Sequence, residues 1–327
     1  MAYTVTDYTT LTQKLNQTFN EGAASQIEGW VGAKIFDVID TDWKVYNYLD
    51  VYGTAGFGRV AEGQQLPIVT SQEGDSANFT QKRYGSRIAI TKDLRLFERY
   101  NEMVSIVQSE VDGAFHKIDQ SMADVLTNGF TGTSYTDVYG DSVSNLANDG
   151  VVLFSPSHTN NINANTYRNL IRNSAGTTNP ALDRDPIVKA RSDAMTFRDP
   201  SGVVRPTTLD TLIVSAANED LANRIVFSSG VQGTPNVDTN PVRGWIKTII
   251  PWAKLDTRSD GTDTSAYWFL ADSKMVKKSL LAPFAQKPQM GEATNVHDTL
   301  DWEYPVDAYY TLGIGKPRFI FGSTGAN

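Results

Sequence analysis

Two histidines are the sequence's best candidates for chemistry, and the first lies among acids at helical spacing. Asp112, His116 and Asp119 follow one another at intervals of four and three residues, so on a helix they share one face. Imidazole and carboxylate groups on one face can ligate a metal ion, but the sequence has no second histidine nearby and no His-Glu-x-x-His pattern. We therefore favour a solvated helix face and predict no metal site.

The second histidine follows two serines. His158 comes after Ser155 and Ser157, and a histidine within hydrogen-bond reach of a serine can act as its general base. The sequence offers no identifiable third group that would orient the imidazole. We therefore predict a polar loop here and no catalytic residue.

A cluster of glycines formally matches a dinucleotide-binding motif. Gly56-x-Gly58-x-x-Ala61 has the required spacing, but that motif needs a following helix to present backbone N–H groups to a pyrophosphate. The segment 62–67 contains glycine and proline and cannot open a helix. Because glycine chiefly supplies backbone freedom, we predict a hinge and no cofactor. The candidate hinge residues are Gly53, Gly56, Gly58 and Gly63.

The composition indicates a folded chain without cysteine chemistry. The 327 residues are 40% hydrophobic and include no cysteine, which excludes disulfides, thiolate metal sites and a cysteine nucleophile. The formal net charge is −8, which excludes general nucleic-acid binding, since that depends on clustered Lys and Arg. No apolar run approaches the roughly 18 residues of a membrane span, and the first residues lack a secretory signal pattern. We expect a soluble protein that folds inside the cell.

The elements that would position these residues begin with one long helix. Between Glu98 and Asn128, apolar residues recur every three or four positions with polar residues opposite. At 1.5 Å per residue this gives a helix of about 45 Å. Its predicted apolar face comprises Tyr100, Met103, Val104, Val107, Val111, Ala114, Ile118, Met122 and Val125. Upstream, the spacing over 27–38 predicts a short amphipathic helix within an otherwise arm-like N-terminal segment.

A polar hairpin is predicted before the long helix. Two extended runs, 65–71 and 78–91, flank a turn signal at 72–75. This hairpin has too few apolar side chains to bury a face of its own, and an isolated hairpin is marginal in water. We therefore expect it to lie on another surface.

The hairpin and the helix carry opposite charge. Residues 81–97 have a net charge of +4, and residues 98–127 have a net charge of −4. The hairpin leads into the helix and points away from it, so docking on a neighbouring copy's helix is a natural arrangement that gives heterologous assembly. Two independently solvated surfaces explain the pattern as well. The candidate contacts between copies join Lys82, Arg83 and Arg87 to Glu102, Asp112 and Asp119.

The remainder of the chain indicates an α+β protein. Helices are predicted at Ile187–Phe197 and Glu219–Phe227, and a loop at 231–243. Short strands are predicted at Val151–Phe154, Leu209–Val214, Trp245–Ile250, Tyr267–Leu270, Trp302–Tyr304, Tyr309–Gly313 and Arg318–Phe321.

The order of these elements resembles the major capsid proteins of tailed bacteriophages with the HK97 fold, and within them the Mu-like major head subunit type. The local motifs that recur in similar order are Asp149–His158, Ala194-Met195 with Arg198–Gly202, Leu209–Val214 with Glu219–Ala222, Asn240–Gly244 and Tyr267–Asp272. The resemblance covers nearly the whole chain and carries no catalytic residues, so we expect no enzyme activity.

The resemblance implies a domain plan and a function. It implies an N-terminal arm at 1–54, an extended E-loop at 55–95, a peripheral domain with the spine helix at 96–148 and 300–327, and an axial domain at 149–299. It also implies pentamers and hexamers that close an icosahedral head around double-stranded DNA without binding it specifically, assembled in the host bacterial cytoplasm. Because no long charged helical extension precedes the arm, we expect a separate scaffolding protein, together with a portal; a decoration protein is an option.

Three other functions stay open. An encapsulin-like nanocompartment shell shares the fold but encloses enzymes, and fold alone does not separate the two. A phage tail or baseplate protein is a second alternative, although such proteins are usually richer in repeated strands. An enzyme would depend on His116 or His158. Neighbouring genes for a terminase and a portal would distinguish the virus from the nanocompartment.

Overall fold

The computed structural model describes residues 5–53, 59–66, 68, 71–97, 99–159, 166–199, 202–230 and 240–326. The chain divides into two compact units. Unit 1 comprises Met1–Tyr46, Phe79–Ser121 and Ala282–Leu312, and unit 2 comprises Asn47–Asn78, Met122–Leu281 and Gly313–Asn327. Both units contain helices and strands, which confirms the α+β class.

The described residues form the following elements. The helices are α1 (Val5–Gly29), α2 (Gly32–Ile35), α3 (Lys92–Leu96), α4 (Tyr100–Thr127), α5 (Arg184–Met195) and α6 (Glu219–Phe227). The strands are β1 (Asp37–Asp40), β2 (Val45–Gly53), β3 (Ser71–Thr80), β4 (Lys82–Ile90), β5 (Ser134–Thr136), β6 (Ser142–Ser144), β7 (Thr211–Val214), β8 (Thr248–Pro251), β9 (Trp268–Ala271), β10 (Leu280–Met290), β11 (Thr294–Asn295), β12 (Trp302–Tyr310), β13 (Gly313–Ile314) and β14 (Ile320–Ser323). No described helix is long and apolar enough to cross a membrane.

The long helix predicted from the sequence is confirmed as α4, which has 28 residues. Its buried residues include Met103, Val107, Val111, Ile118, Met122 and Val125 of the predicted apolar face. Phe115 is buried as well, although the predicted face leaves it out, whereas Tyr100 is exposed. The helix period therefore gives the core side of α4 nearly correctly.

The N-terminal segment is a helix where we predicted an arm. α1 spans 25 residues, and its Leu11, Leu15 and Phe19 are buried in one cluster with Met103 and Val107 of α4. Residues four apart lie on one helix face, and packing of that face stabilises a helix more than propensity does. The short helix predicted over 27–38 is wrong, because the end of α1, the single turn α2 and β1 occupy this segment.

β12 is the central strand of the sheet in unit 1. β4 pairs with it antiparallel along its whole length, from Ile90 opposite Trp302 to Lys82 opposite Tyr310. β10 and β11 also pair with β12, and β1 pairs with β10. Alternate residues of β12 are buried, so one face of the strand contributes to the core of unit 1.

The polar hairpin is formed by other strands than predicted. Residues 72–75 lie inside β3 and do not form a turn, and β3 pairs with β2. β4, which we predicted as the second strand of the hairpin, belongs to the sheet of unit 1. The turn was predicted because of Gly74, but this glycine lies within β3. The Tyr52 ring occupies the space that a Cβ at position 74 would need, so the strand requires glycine there. We call β2 and β3 the β2–β3 hairpin.

Unit 2 is built on a sheet with the strand order β14, β9, β7, β8. β7 runs parallel to β8 and antiparallel to β9, and all four of its residues are buried. Leu212 of β7 and Trp268 of β9 are buried in one cluster with Ala190 of α5 and Val226 of α6. The two helices therefore cover the apolar residues of this sheet.

The predictions for the second half of the chain are largely confirmed. α6 has the predicted bounds, while α5 begins three residues early because Asp183 caps it by accepting a hydrogen bond from the Arg184 backbone N–H. The strand predicted at 151–154 is wrong: the segment forms only an isolated bridge. The predictions miss β10, whose two prolines are unusual in a strand. Most of the predicted loop at 231–243 lies outside the described residues.

Candidate intersubunit surfaces

The predicted acidic contacts lie on α4 and have partners in their own chain. Glu102 forms an ion pair of 3.2 Å with Arg99, three residues before it. Asp112 accepts a hydrogen bond of 2.7 Å from the Gln26 side chain, and Asp119 accepts one of 3.2 Å from the backbone N–H of residue 32. Asp112 and Asp119 therefore hold the N-terminal segment against α4.

His116 is exposed between Asp112 and Asp119. Within the described ranges, no group of three or more His, Cys, Asp or Glu side chains is placed to hold a metal ion.

The predicted basic contacts lie on β4, and two of them pair with acids of β12. Arg83 donates to Asp307 at 2.8 Å, and Arg87 donates to Glu303 at 3.0 Å. Both arginine side chains are mostly exposed, and the hydrogen bond to Asp307 raises the pKa of Arg83. Lys82 is the first residue of the same strand.

β4 packs on its own helix, which contradicts our prediction that the basic segment points away from α4. Ile88 and Ile90 are buried in the same cluster as Met103 of α4, and the Ser86 hydroxyl donates a hydrogen bond to Glu110. The alternation of β4 turns these apolar residues to the core while its arginines stay exposed. Arg83 and Arg87 therefore meet acids of β12 within one subunit, and β4 meets α4 through apolar residues and Ser86. Contacts between copies through the six candidate residues stay a prediction.

Two of the four predicted hinge glycines lie in described positions. Gly53 is the last residue of β2. Gly63 has a φ of +80°, in the left-handed region that favours glycine. Gly56 and Gly58 lie outside the described residues.

The connection from β2 to β3 exposes large apolar side chains. Leu66 is 75% exposed and Ile68 is 85% exposed. In unit 1, Leu96 and Phe97 are exposed as well, just before α4. Groups of exposed apolar side chains mark interaction sites more often than chance. Leu66 and Ile68 could have been found from the sequence, because they are isolated apolar residues in a polar, glycine-rich segment that cannot form a core of its own.

A buried ion pair holds β2 of the β2–β3 hairpin close to the connection between the two strands. Lys316 Nζ lies 2.6 Å from Asp50 Oδ2, and the two side chains are only 13% and 12% exposed. The same ammonium lies 3.8 Å from the centroid of the Tyr52 ring, a favourable cation–π distance. We call Asp50, Tyr52 and Lys316 the hairpin anchor.

The electrostatics of the hairpin anchor are dominated by burial. Burial lowers the pKa of Lys316, and Asp50 acts in the opposite direction. Burial, with the hydrogen bond to Asp50, raises the pKa of Tyr52 far above its usual value. Our sequence reasoning missed this site because Asp50 and Lys316 are 266 residues apart, and no local pattern marks either residue.

His158 is a fully buried residue of unit 2 and not part of a solvated polar loop. Its Nδ1 lies 2.7 Å from Asp149 Oδ2, and the two side chains are 0% and 3% exposed. Its Nε2 lies 3.2 Å from the Leu153 carbonyl and 3.0 Å from Asn169 Oδ1. The imidazole therefore contacts no serine that it could activate, and the serine–base hypothesis is wrong.

The orientation of Asn169 fixes the protons of His158. The Asn169 Nδ2 donates to the carbonyls of Leu153 and Pro317, and its Oδ1 accepts from the Ser155 backbone N–H. The amide cannot be flipped without placing donors against donors. Nε2 of His158 thus faces only acceptors and must carry a proton, while Nδ1 shares a proton with the Asp149 carboxylate. We call His158, Asp149 and Asn169 the buried histidine network.

Comparisons with known proteins identify the family. A family model for phage capsid proteins matches residues 72–322. Among solved structures, the chain is similar to the capsid protein of Myoviridae phage XM1, with a TM-score of 0.51, 11% identity and coverage of 88% of this chain and 89% of that one. It is also similar to the capsid of an empty GTA particle, with a TM-score of 0.48, 10% identity and coverage of 90% and 89%. No curated protein matches the sequence.

These findings confirm the HK97-like capsid fold expected from the sequence. They agree with a molecule whose described residues carry a long spine helix, an extended hairpin and exposed apolar side chains at that hairpin's end. The family model covers more than half of the chain. The chain therefore belongs to the phage capsid proteins, and it is a structural protein that assembles with copies of itself into the shell of the virion.

Proposed function

We propose that copies of this chain form pentamers and hexamers that close into an icosahedral head around packaged double-stranded DNA, and that the subunit is of the Mu-like type. The match of the phage capsid family model to residues 72–322 carries the proposal of a shell, and the Mu-like type depends on the order of the local motifs between Asp149 and Asp272. The net charge of −8 supports a wall that encloses DNA without binding it specifically. We propose a structural and non-enzymatic role, which the match to the phage capsid family supports.

The subunit's parts take the following roles in this proposal. The β2–β3 hairpin acts as the E-loop, and the end that connects its strands lies across a neighbouring subunit. α4 is the spine of a peripheral domain, and the sheet of β14, β9, β7 and β8 belongs to an axial domain. The head is assembled in the host cytoplasm with a separate scaffolding protein and a portal, and a decoration protein can be added.

Electron microscopy of the purified protein tests the proposal most directly. Closed shells of uniform size, with pentamers and hexamers in their averaged images, are the expected result, either alone or with the scaffolding protein coexpressed. A subunit that stays monomeric under both conditions would contradict the proposal. Shells from infected cells that contain a protein cargo and no DNA would indicate a nanocompartment instead.

The exposed apolar side chains of the hairpin provide a sharper test. The double variant Leu66→Asp, Ile68→Asp should prevent closed shells, because two carboxylates would be desolvated where the neighbouring subunit covers the hairpin. The isolated subunit should keep its melting temperature, since both side chains are largely exposed in it. Negative-stain microscopy and size-exclusion chromatography measure the two effects.

A matched conservative variant serves as the control. Leu66→Met with Ile68→Val keeps apolar character at both positions and should assemble normally. If the aspartate variant forms normal shells, the hairpin end does not lie in an interface.

The predicted charge pairing between copies has its own test. Reversing Arg83→Glu and Arg87→Glu should weaken shell formation while the subunit stays folded, because both side chains are mostly exposed and surface pairs contribute little to stability. Light scattering during assembly and circular dichroism of the subunit are the measurements. The neutral variant Arg83→Gln, Arg87→Gln removes the same pairs within the chain without adding negative charge. Normal shells from the reversal variant would exclude these arginines as contacts between copies.

A further inference from the structure

Unit 2 contains a cleft that is lined by arginines. Its volume is about 320 Å³, and Arg168, Arg172 and Arg198 line it together with a single acid, Asp193. We call it the arginine cleft. Three guanidinium groups around one carboxylate leave an excess of positive charge, in a chain whose net charge is −8.

The acid of the arginine cleft is already shared by two cations. Arg172 donates to both oxygens of Asp193, at 2.9 and 3.2 Å, and Lys189 donates to the same carboxylate at 2.6 Å. Arg198 is exposed and donates to the carbonyl of Gly202 at 2.7 Å. Asp193 is therefore satisfied without Arg168.

One hydrogen-bond donor of Arg168 is left without a partner in the cleft. Its Nη1 is buried and has no hydrogen-bond partner among the described residues. Burial, and then the neighbouring Arg172, lower the pKa of Arg168, while Asp193 raises it. An arginine nevertheless stays protonated in proteins, and a buried unpaired donor costs stability in the isolated subunit.

We propose that the arginine cleft binds a carboxylate of a second copy of this chain when the shell assembles. A guanidinium fork binds a carboxylate through two parallel hydrogen bonds, and the cleft retains such a fork with a free buried donor. In a heterologous assembly each copy presents a different surface to the next, so a basic cleft can meet an acidic surface of the same acidic chain. This inference depends on the self-assembly of the chain into a shell.

The variant Arg168→Gln separates a binding role from a structural one. If Arg168 serves assembly, its removal takes away a buried donor that has no partner in the subunit, so the melting temperature of the isolated subunit should stay the same or rise. The lowest protein concentration that gives shells should increase about tenfold, as loss of a desolvated charge pair across an interface predicts. Arg224→Gln is the matched control, because Arg224 is an exposed arginine of the same unit paired with Asp220, and it should leave both quantities unchanged.

Inorganic phosphate distinguishes a neighbour's carboxylate from a free anion. Phosphate should compete with assembly of the wild-type protein and should not affect Arg168→Gln beyond the general effect of salt. If Arg168→Gln assembles like the wild type, or if its melting temperature falls in parallel with assembly, the proposal is overturned. The proposal is also overturned if phosphate stabilises the wild-type subunit while assembly does not depend on Arg168. Wild-type protein that forms no shells overturns the proposed function itself, and this inference with it.

Discussion

Replacing Lys316 by methionine is expected to lower the free energy of unfolding by about 3–5 kcal/mol, because removing one partner of a buried ion pair leaves the other charge without compensation. Lys316 and Asp50 lie 2.6 Å apart and are almost completely buried. Methionine keeps most of the lysine's volume, so the loss reports charge and not packing. Urea unfolding of the unassembled subunit measures it.

The double variant Lys316→Met, Asp50→Leu should recover part of this loss, because it removes both buried charges but also takes away the acceptor of the Tyr52 hydroxyl. Burial lowers the pKa of Lys316, Arg318 and Lys278 act in the same direction, and Asp50 opposes them, so desolvation is the largest influence on the charged form. Under that condition, replacing both charges by apolar side chains is often neutral or stabilising. If the double variant regains stability, the ion pair mainly fixes the position of the β2–β3 hairpin and contributes little to the free energy of unfolding.

Lys278→Met is the matched control for the hairpin anchor. Lys278 lines the same cleft as Lys316 but is exposed, so its substitution should change the unfolding free energy little. Hydrogen exchange should show increased opening of β2 and β3 in Lys316→Met and not in Lys278→Met. Equal stability of Lys316→Met and the wild type would show that the anchor carries no uncompensated charge.

Local periodicity is the part of this fold that the sequence can predict. α4 and α6 were predicted because their apolar residues repeat with the helix period, and that repeat survives in any tertiary context. α1 has the same kind of stripe, with Leu11, Leu15 and Phe19 at intervals of four. Threonine and asparagine between these positions lowered the expectation of a helix, and packing on α4 outweighed that preference.

Pairing between distant segments is the part that the sequence could not predict. The pattern of 71–90 indicates extended structure, but it does not say that β3 pairs with β2 and β4 with β12, more than 200 residues away. For the same reason the predicted role of β4 as an outlying hairpin strand is wrong. The hairpin anchor and the buried histidine network likewise join residues that only the tertiary fold brings together, and the exposed apolar pair at 66 and 68 was within reach of sequence reasoning.

Replacing His158 by phenylalanine is expected to destabilise unit 2 by about 3–5 kcal/mol, because the ring would be kept while both of its N–H groups are lost. Asp149, 3% exposed, would then be left as a buried carboxyl group without its hydrogen-bond partner. Phenylalanine has a similar shape, so a cavity does not account for the loss. Unfolding in urea, followed by near-ultraviolet circular dichroism, is the measurement.

Asp149→Asn should cost much less, about 1–2 kcal/mol. An asparagine amide can donate a hydrogen bond to Nδ1 of a neutral imidazole, and Nε2 then keeps its proton toward the Leu153 carbonyl and Asn169. His158 and Asp149 are both almost completely buried, so burial alone does not explain why His158→Phe should lose more stability than Asp149→Asn. The difference follows from the fixed orientation of the Asn169 amide.

The protonation of the ring can be observed directly. Nitrogen NMR of the wild-type subunit should show protons on both ring nitrogens of His158, and in Asp149→Asn only Nε2 should remain protonated. His116, which is exposed on α4, provides the internal reference for an imidazole in water. If the wild-type ring carries only one proton, the shared proton lies on Asp149. His158→Phe would then leave no buried charge behind, and the large loss in the free energy of unfolding would not be expected.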